Sequence, residues 1–141
     1  MEEQEKGNQN QQQPLFGKYS CEDLLEKLKS DNPTDLLQVS QDMEKLMKKY
    51  ASKIAYSQFR KVHAEIKKSV NNNNLTDLAK SIPILAYMEA RQEKKEAKKL
   101  VKDIRLFAEC IIKTEDKDNL NYLKTLMDTL VAYHKLHGKN N

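Results

Sequence analysis

The residues best suited to chemistry in this chain are its cations, because their spacing is regular and arginine is scarce among them. Only Arg60, Arg91 and Arg105 accompany the many lysines. At about 100° per residue, Arg60 and Lys67 fall on one flank of a helix over residues 57–70, and Lys61 and Lys68 lie further round. All four stand clear of Phe59, Val62, Ile66 and Val70, which step by 3, 4 and 4 as a buried stripe does. Such a ridge suits the phosphates of a nucleic acid. A second series, Arg91, Lys95, Lys98, Lys102 and Arg105, steps by 4, 3, 4 and 3 wherever the helix is unbroken, with Lys94 and Lys99 beside it. Its competing reading is a solvated face balanced by Glu93, Glu96 and Asp103. For Arg60 and Arg91 two roles stay open, a fork for phosphate or the partner of a buried carboxylate.

Other chemistry is poorly provided for. His134 and His137 stand one helical turn apart, but no neighbouring motif supplies a third ligand, so no metal is expected. His63 reads as a packed core histidine. There is no glycine-rich phosphate loop, no GxSxG and no carboxylate pair spaced for acid–base work, so neither an enzyme nor a cofactor is expected. Cys21 and Cys110 are far apart and form no CxxC, and both read as reduced thiols.

Charge is unevenly distributed. Residues 1–40 hold 4 basic and 8 acidic side chains, residues 41–113 hold 17 and 9, and residues 114–141 hold 4 and 4. The positive field in the middle of the chain favours a polyanionic partner. A length of 141 residues suits one domain. Three glycines, three prolines and no tryptophan leave too little turn chemistry for an all-β chain. The fold class is therefore all-α. No run reaches the ~18 apolar residues of a membrane span, and the acidic, Gln-rich start is unlike a targeting peptide. A cytoplasmic location with no membrane contact is expected.

The elements that must position the cations follow from periodicity. Residues 1–14 read as a disordered polar tail and residues 15–141 as a single helical-bundle domain. Ser20 caps a short helix carrying Leu24, Leu25 and Leu28, ended by Asp31, Asn32 and Pro33. A second helix starts near Thr34, carries Leu36, Leu37, Val39, Met43, Leu46, Met47 and Tyr50, and loses regularity over residues 52–56. Ser57 is the expected cap of the next helix, and residues 71–74 its stop. Residues 75–91 read as a helix interrupted or kinked at Pro83. Further helices follow over residues 93–113 and 119–136. Five or six helices joined by short polar connections make a compact bundle.

Three motifs then fall in order: Ser57-Gln58-Phe59-Arg60-Lys61, the run from Ile84 to Arg91 that contains Tyr87, and Leu130-Val131-Ala132-Tyr133-His134-Lys135 followed by Gly138. Together they resemble the small subunit of the type III-A (Csm) CRISPR interference complex, over roughly residues 55–138. The resemblance implies a helical subunit that stacks with copies of itself along the inner filament of a ribonucleoprotein. Its neighbours would be the backbone subunits and the large subunit. Its nucleic-acid partners would be target RNA and the guide RNA–target duplex, and cleavage chemistry would belong to other subunits. Arg60, Lys61, Lys67, Lys68, Arg91, Lys95 and Lys135 become the candidate RNA contacts. Ala90 stands where family members often carry glycine, which leaves open a helix continuous through Arg91. Tyr87 and Tyr133 could stack on bases, but among so many aliphatic residues each reads as a partly buried packing residue. The alternative function is a structural adaptor whose basic faces meet acidic protein partners.

Overall fold

A computed structural model describes residues 14–138. The tail expected over residues 1–14 falls, except for Pro14, outside the described residues. Among the described residues six α-helices follow one another: α1 (Cys21–Lys29), α2 (Pro33–Tyr50), α3 (Tyr56–Asn71), α4 (Leu75–Ala90), α5 (Lys95–Lys113) and α6 (Leu120–His137). Short 3₁₀ turns at Ala51–Lys53 and Lys117–Asn119 lead into α3 and α6. The all-α expectation holds among the described residues.

Local chemistry explains the starts. Ser20 accepts a hydrogen bond from the Asp23 amide at 3.1 Å, and Glu22 and Asp23 sit at the positive end of α1. Asn32 caps α2 through the Thr34 amide at 2.9 Å, with Pro33 in the first turn where its missing N–H costs nothing. Asn74 caps α4 through the Asp77 amide at 3.0 Å. Each helix then contributes an apolar stripe to one core, in which Phe59, Phe107, Met43, Leu100 and Ile104 are fully buried.

Side-chain bonds between helices set their directions. Gln58 meets Gln92, Glu65 meets Ser81 and Asn72 meets Asp77, so α3 and α4 run antiparallel. His63 meets Asp128, and Phe59 packs on His134, so α6 is antiparallel to α3 on its other flank. Tyr133 bonds Ser40 and His137 bonds Glu44, which makes α6 parallel to α2.

Several details depart from the sequence reading. Ser57 does not cap α3: the cap position belongs to Ala55, which supplies no side-chain bond, and Ser57 lies inside the helix. The reason is Ile54, which is 2% exposed and offers its carbonyl to His134 Nε2 at 2.8 Å, so the turn into the helix is fixed from the core side. Pro83 does not interrupt α4. It and Ala79, whose carbonyl loses its donor, are both exposed, so water can serve the freed group.

The break after Arg91 is real, and α4 does not continue into α5. Gln92 turns inward and donates to the Met88 carbonyl at 3.1 Å, while Lys98 Nζ donates to the Ala90 carbonyl at 2.9 Å. Side chains thus satisfy the carbonyls that a longer helix would have used.

The thiols also differ from expectation. Cys21 of α1 and Cys110 of α5 are joined as a disulfide, their Cα atoms 6.4 Å apart. Sequence separation concealed this, because α1 packs across α5 and brings distant positions together.

Before α1 the chain forms a hook. Leu15 and Tyr19 exchange backbone hydrogen bonds around Phe16 and Gly17, both at positive φ, and Leu15, Phe16 and Tyr19 are buried. The Phe16 amide donates to Asp103 at 2.9 Å, and Lys99 Nζ holds the same carboxylate at 2.6 Å.

The Tyr19 hydroxyl donates to Asp42 of α2. Burial by itself would push the Asp42 carboxyl up, but hydrogen bonds from Tyr19, Lys18 and Gln38 hold it below the usual carboxylate range. A carboxyl lower in the folded than in the unfolded state stabilises fully above the unfolded pKa of about 4, and that stability is lost as pH falls below it. Asp42→Asn should therefore lower stability at neutral pH by about 1–2 kcal/mol and flatten the acid limb of a stability–pH curve below about pH 4. Parallel acid limbs for the two chains would show that Asp42 plays no such part.

Candidate nucleic-acid interface

Helix α3 sorts its residues by direction. Phe59, Val62 and Ile66 enter the core, while Gln58, Glu65 and Ser69 turn toward α4. What remains faces solvent, and there Arg60, Lys61, Lys67 and Lys68 are all exposed. Lys68 Nζ lies 2.9 Å from Glu65, whose other oxygen accepts from Ser81 at 2.7 Å. Arg60, Lys61 and Lys67 have no ion-pair partner among the described residues.

On the α6 flank two cations converge on one ring. The Arg60 guanidinium stands 5.6 Å from the centroid of Tyr56, and Lys135 Nζ stands 4.8 Å from it. Tyr56 is positioned from beneath by His134, stacked at 5.7 Å, and His134 is itself fully buried against Phe59. Because a carbonyl only accepts, His134 Nε2 carries the proton donated to Ile54, and Nδ1 is buried without a partner among the described residues. The ring electrons ease the approach of each cation, but they cannot cancel the repulsion between two of them. The same spot is the N-terminus of α3, which no side chain caps. Its dipole adds further positive potential. Further along this seam Asp128 is already engaged by Lys124 at 2.8 Å and His63 at 3.1 Å.

On the α4 flank the Arg91 guanidinium stands 5.7 Å from the ring of Tyr87, and Tyr87 is 63% exposed. That exposure overturns its reading as a packing residue. Tyr133 does pack, with its hydroxyl 2.7 Å from Ser40. The Gln58–Gln92 bond at 3.4 Å ties the end of α4 to the start of α3. Between the two helices runs a groove of about 300 Å³ with Lys68, Lys80 and Ile84 along it.

Seven cations were named from sequence as RNA contacts, and the fold brings most of them together. Arg60, Lys61, Lys67 and Lys68 share α3, Lys135 joins them across Tyr56, and Arg91 joins through the Gln58–Gln92 link. Lys95 is exposed in the first turn of α5, and no hydrogen bond or ion pair ties it to α3 among the described residues. Of the two roles left open for Arg60 and Arg91, carboxylate pairing is absent among the described residues. Arg105 has that role instead, with Nε 2.9 Å from Glu89 and a terminal nitrogen 2.8 Å from Glu109. The second cationic stripe is correspondingly reduced: the break removes Arg91, Arg105 is engaged, and Lys98 and Lys99 are bonded within the fold.

The histidines do not converge. His134 points inward to Ile54, His137 bonds Glu44 at 2.9 Å, and no cluster of three metal-ligating side chains occurs among the described residues. His63 sits at the rim with Asp128 rather than in the core. Tyr56 was overlooked in the sequence. Its signal was the spacing of four to Arg60, which puts an aromatic ring and a guanidinium on one face of a helix.

The model of the Csm2 type III-A family matches residues 30–140. The chain belongs to the Csm2 type III-A family. Membership makes it a subunit of the type III-A Csm complex and bears out the resemblance carried by the three motifs. The matched span runs from the start of α2 to the end of α6, so it contains the entire α3 ridge, Tyr87 and Lys135. The hook and α1 lie outside the Csm2 match. No curated protein and no solved structure matches the chain. No described helix is long and apolar enough to cross a membrane.

Proposed function

We propose that this Csm2-family chain is a non-catalytic cytoplasmic subunit that holds the backbone of target RNA, and of the guide RNA–target duplex, on the solvent face of α3. The observation that carries this reading is the convergence of Arg60 and Lys135 on Tyr56, at an uncapped helix N-terminus and without a carboxylate among the described residues. Two unpaired cations and a helix dipole meeting at one point create a demand for an anion. Lys61, Lys67 and Lys68 extend the same field along α3, so the anion that fits is a polymer of phosphates rather than an isolated one. In a guided complex the guide reads sequence by base pairing, and protein contacts to the backbone position the strand. Lysine and arginine without a rigid base-reading element suit that division of labour.

Exposed Leu36 and Leu37 on α2 and Leu136 on α6 support contacts with neighbouring subunits, including copies of this chain, the backbone subunits and the large subunit. The competing adaptor reading assigns the basic face to acidic proteins.

Fluorescence anisotropy with labelled RNA distinguishes them. Arg60→Gln combined with Lys135→Gln should weaken binding by roughly tenfold, to the same degree for unrelated RNA sequences, with helix content unchanged. RNA affinity unaltered in the double variant, together with lost retention of an acidic Csm subunit, would favour the adaptor.

A further inference from the structure

We propose that Tyr87 and Arg91 form a stacking seat for one unpaired nucleobase of the bound RNA. This rests on the RNA reading above and adds to it a contact with a base rather than with the backbone.

The other tyrosines near the basic face are already engaged. Tyr133 is packed and bonded to Ser40, while Tyr56 lies between His134 and two cations. Tyr87 is different, with 63% of its surface exposed and no hydrogen bond to its hydroxyl from the described residues. An aromatic ring in that state on a helix that otherwise buries Leu78 and Leu85 is a poor packing element and a good platform.

Its neighbours narrow the occupant. Lys80, Ile84, Tyr87 and Arg91 step by 4, 3 and 4 on the outward side of α4, so an apolar centre lies between two cations. An apolar protein surface laid on this stripe would have to desolvate a lysine and an arginine without partners. A nucleotide fits both parts: its base stacks on the ring and its flanking phosphates meet the cations. The Arg91 guanidinium, 5.7 Å from the ring centroid, covers at most one of the two ring faces. The groove with Lys68 and Lys80 on its walls joins this stripe to the α3 ridge, so one strand can use both. A base within a duplex is stacked on both faces, so the seat selects a nucleotide that is single-stranded or turned out of a helix.

The test uses the full chain, an RNA oligonucleotide of mixed sequence, and the same oligonucleotide with abasic positions. Tyr87→Phe should bind both as the unaltered chain does. Tyr87→Leu should bind the intact RNA roughly tenfold more weakly and the abasic RNA equally well, with the dependence on salt unchanged because no phosphate contact is lost. An RNA carrying 2-aminopurine should be quenched on binding the unaltered chain and less so on binding Tyr87→Leu. If Tyr87→Leu binds intact RNA normally, the seat is wrong while the RNA reading stands. Equal weakening on intact and abasic RNA would also overturn the seat. A variant that binds RNA normally but is lost from the assembled complex would assign the stripe to a protein neighbour. Failure of the unaltered chain to bind any RNA would overturn the RNA reading and the seat together.

Discussion

Replacing His134 by alanine should cost the bundle about 3–5 kcal/mol, a large share of the stability of a domain this size. The side chain is fully buried, packs on Phe59 with ring centroids 5.0 Å apart and on Tyr56 at 5.7 Å, and donates to the Ile54 carbonyl. Truncation would leave a cavity among these rings and strand a buried carbonyl at the entry to α3. The thermal midpoint should fall by roughly 10–20 °C, measured by circular dichroism. His134→Gln can still place an amide nitrogen near Ile54, so it should lose less. A midpoint for His134→Ala within about 3 °C of the unaltered chain would show that His134 does not hold this junction. The consequence reaches function, because Tyr56 rests on His134 and Arg60 and Lys135 gather at Tyr56.

How much of this was legible beforehand depends on distance along the chain. Ser20 followed by Leu24, Leu25 and Leu28 marks α1 with its cap and its buried face, because both are set within two turns. The α3 ridge was legible for the same reason: a periodic apolar stripe fixes the opposite side as solvent. Arg105 was readable only in half. Glu109 stands four residues on, but Glu89 reaches it through space from α4. The Cys21–Cys110 pair depends wholly on how α1 crosses α5, which periodicity does not encode. The hook needs positive φ at Phe16, a conformation that a bulky residue seldom signals. Tyr87 misled for a related reason. Helix α4 packs between α3 and α5, and an apolar helix with two neighbours can still leave its outer face bare.

The largest expected effect on function comes from the ridge as a whole. Arg60, Lys61, Lys67, Lys68 and Arg91 are all exposed, so replacing the five with glutamine should leave the helices intact. Lys68 has a carboxylate neighbour, but Glu65 keeps its bond from Ser81 when the lysine is removed. The measurement that bears most directly on the RNA reading is the salt dependence of RNA affinity for this five-site variant beside the unaltered chain, with a melting curve to certify the fold. Each phosphate contact to a single strand contributes roughly 0.7 to the slope of log affinity against log salt. If all five make such contacts, the unaltered chain should lose about a hundredfold more affinity than the variant between about 50 mM and 200 mM salt. The variant should also bind more weakly at low salt, uniformly across RNA sequences. The same slope for both chains, in a variant that melts normally, would contradict RNA contact on α3 and move any binding face to Lys95 and Lys102 of α5.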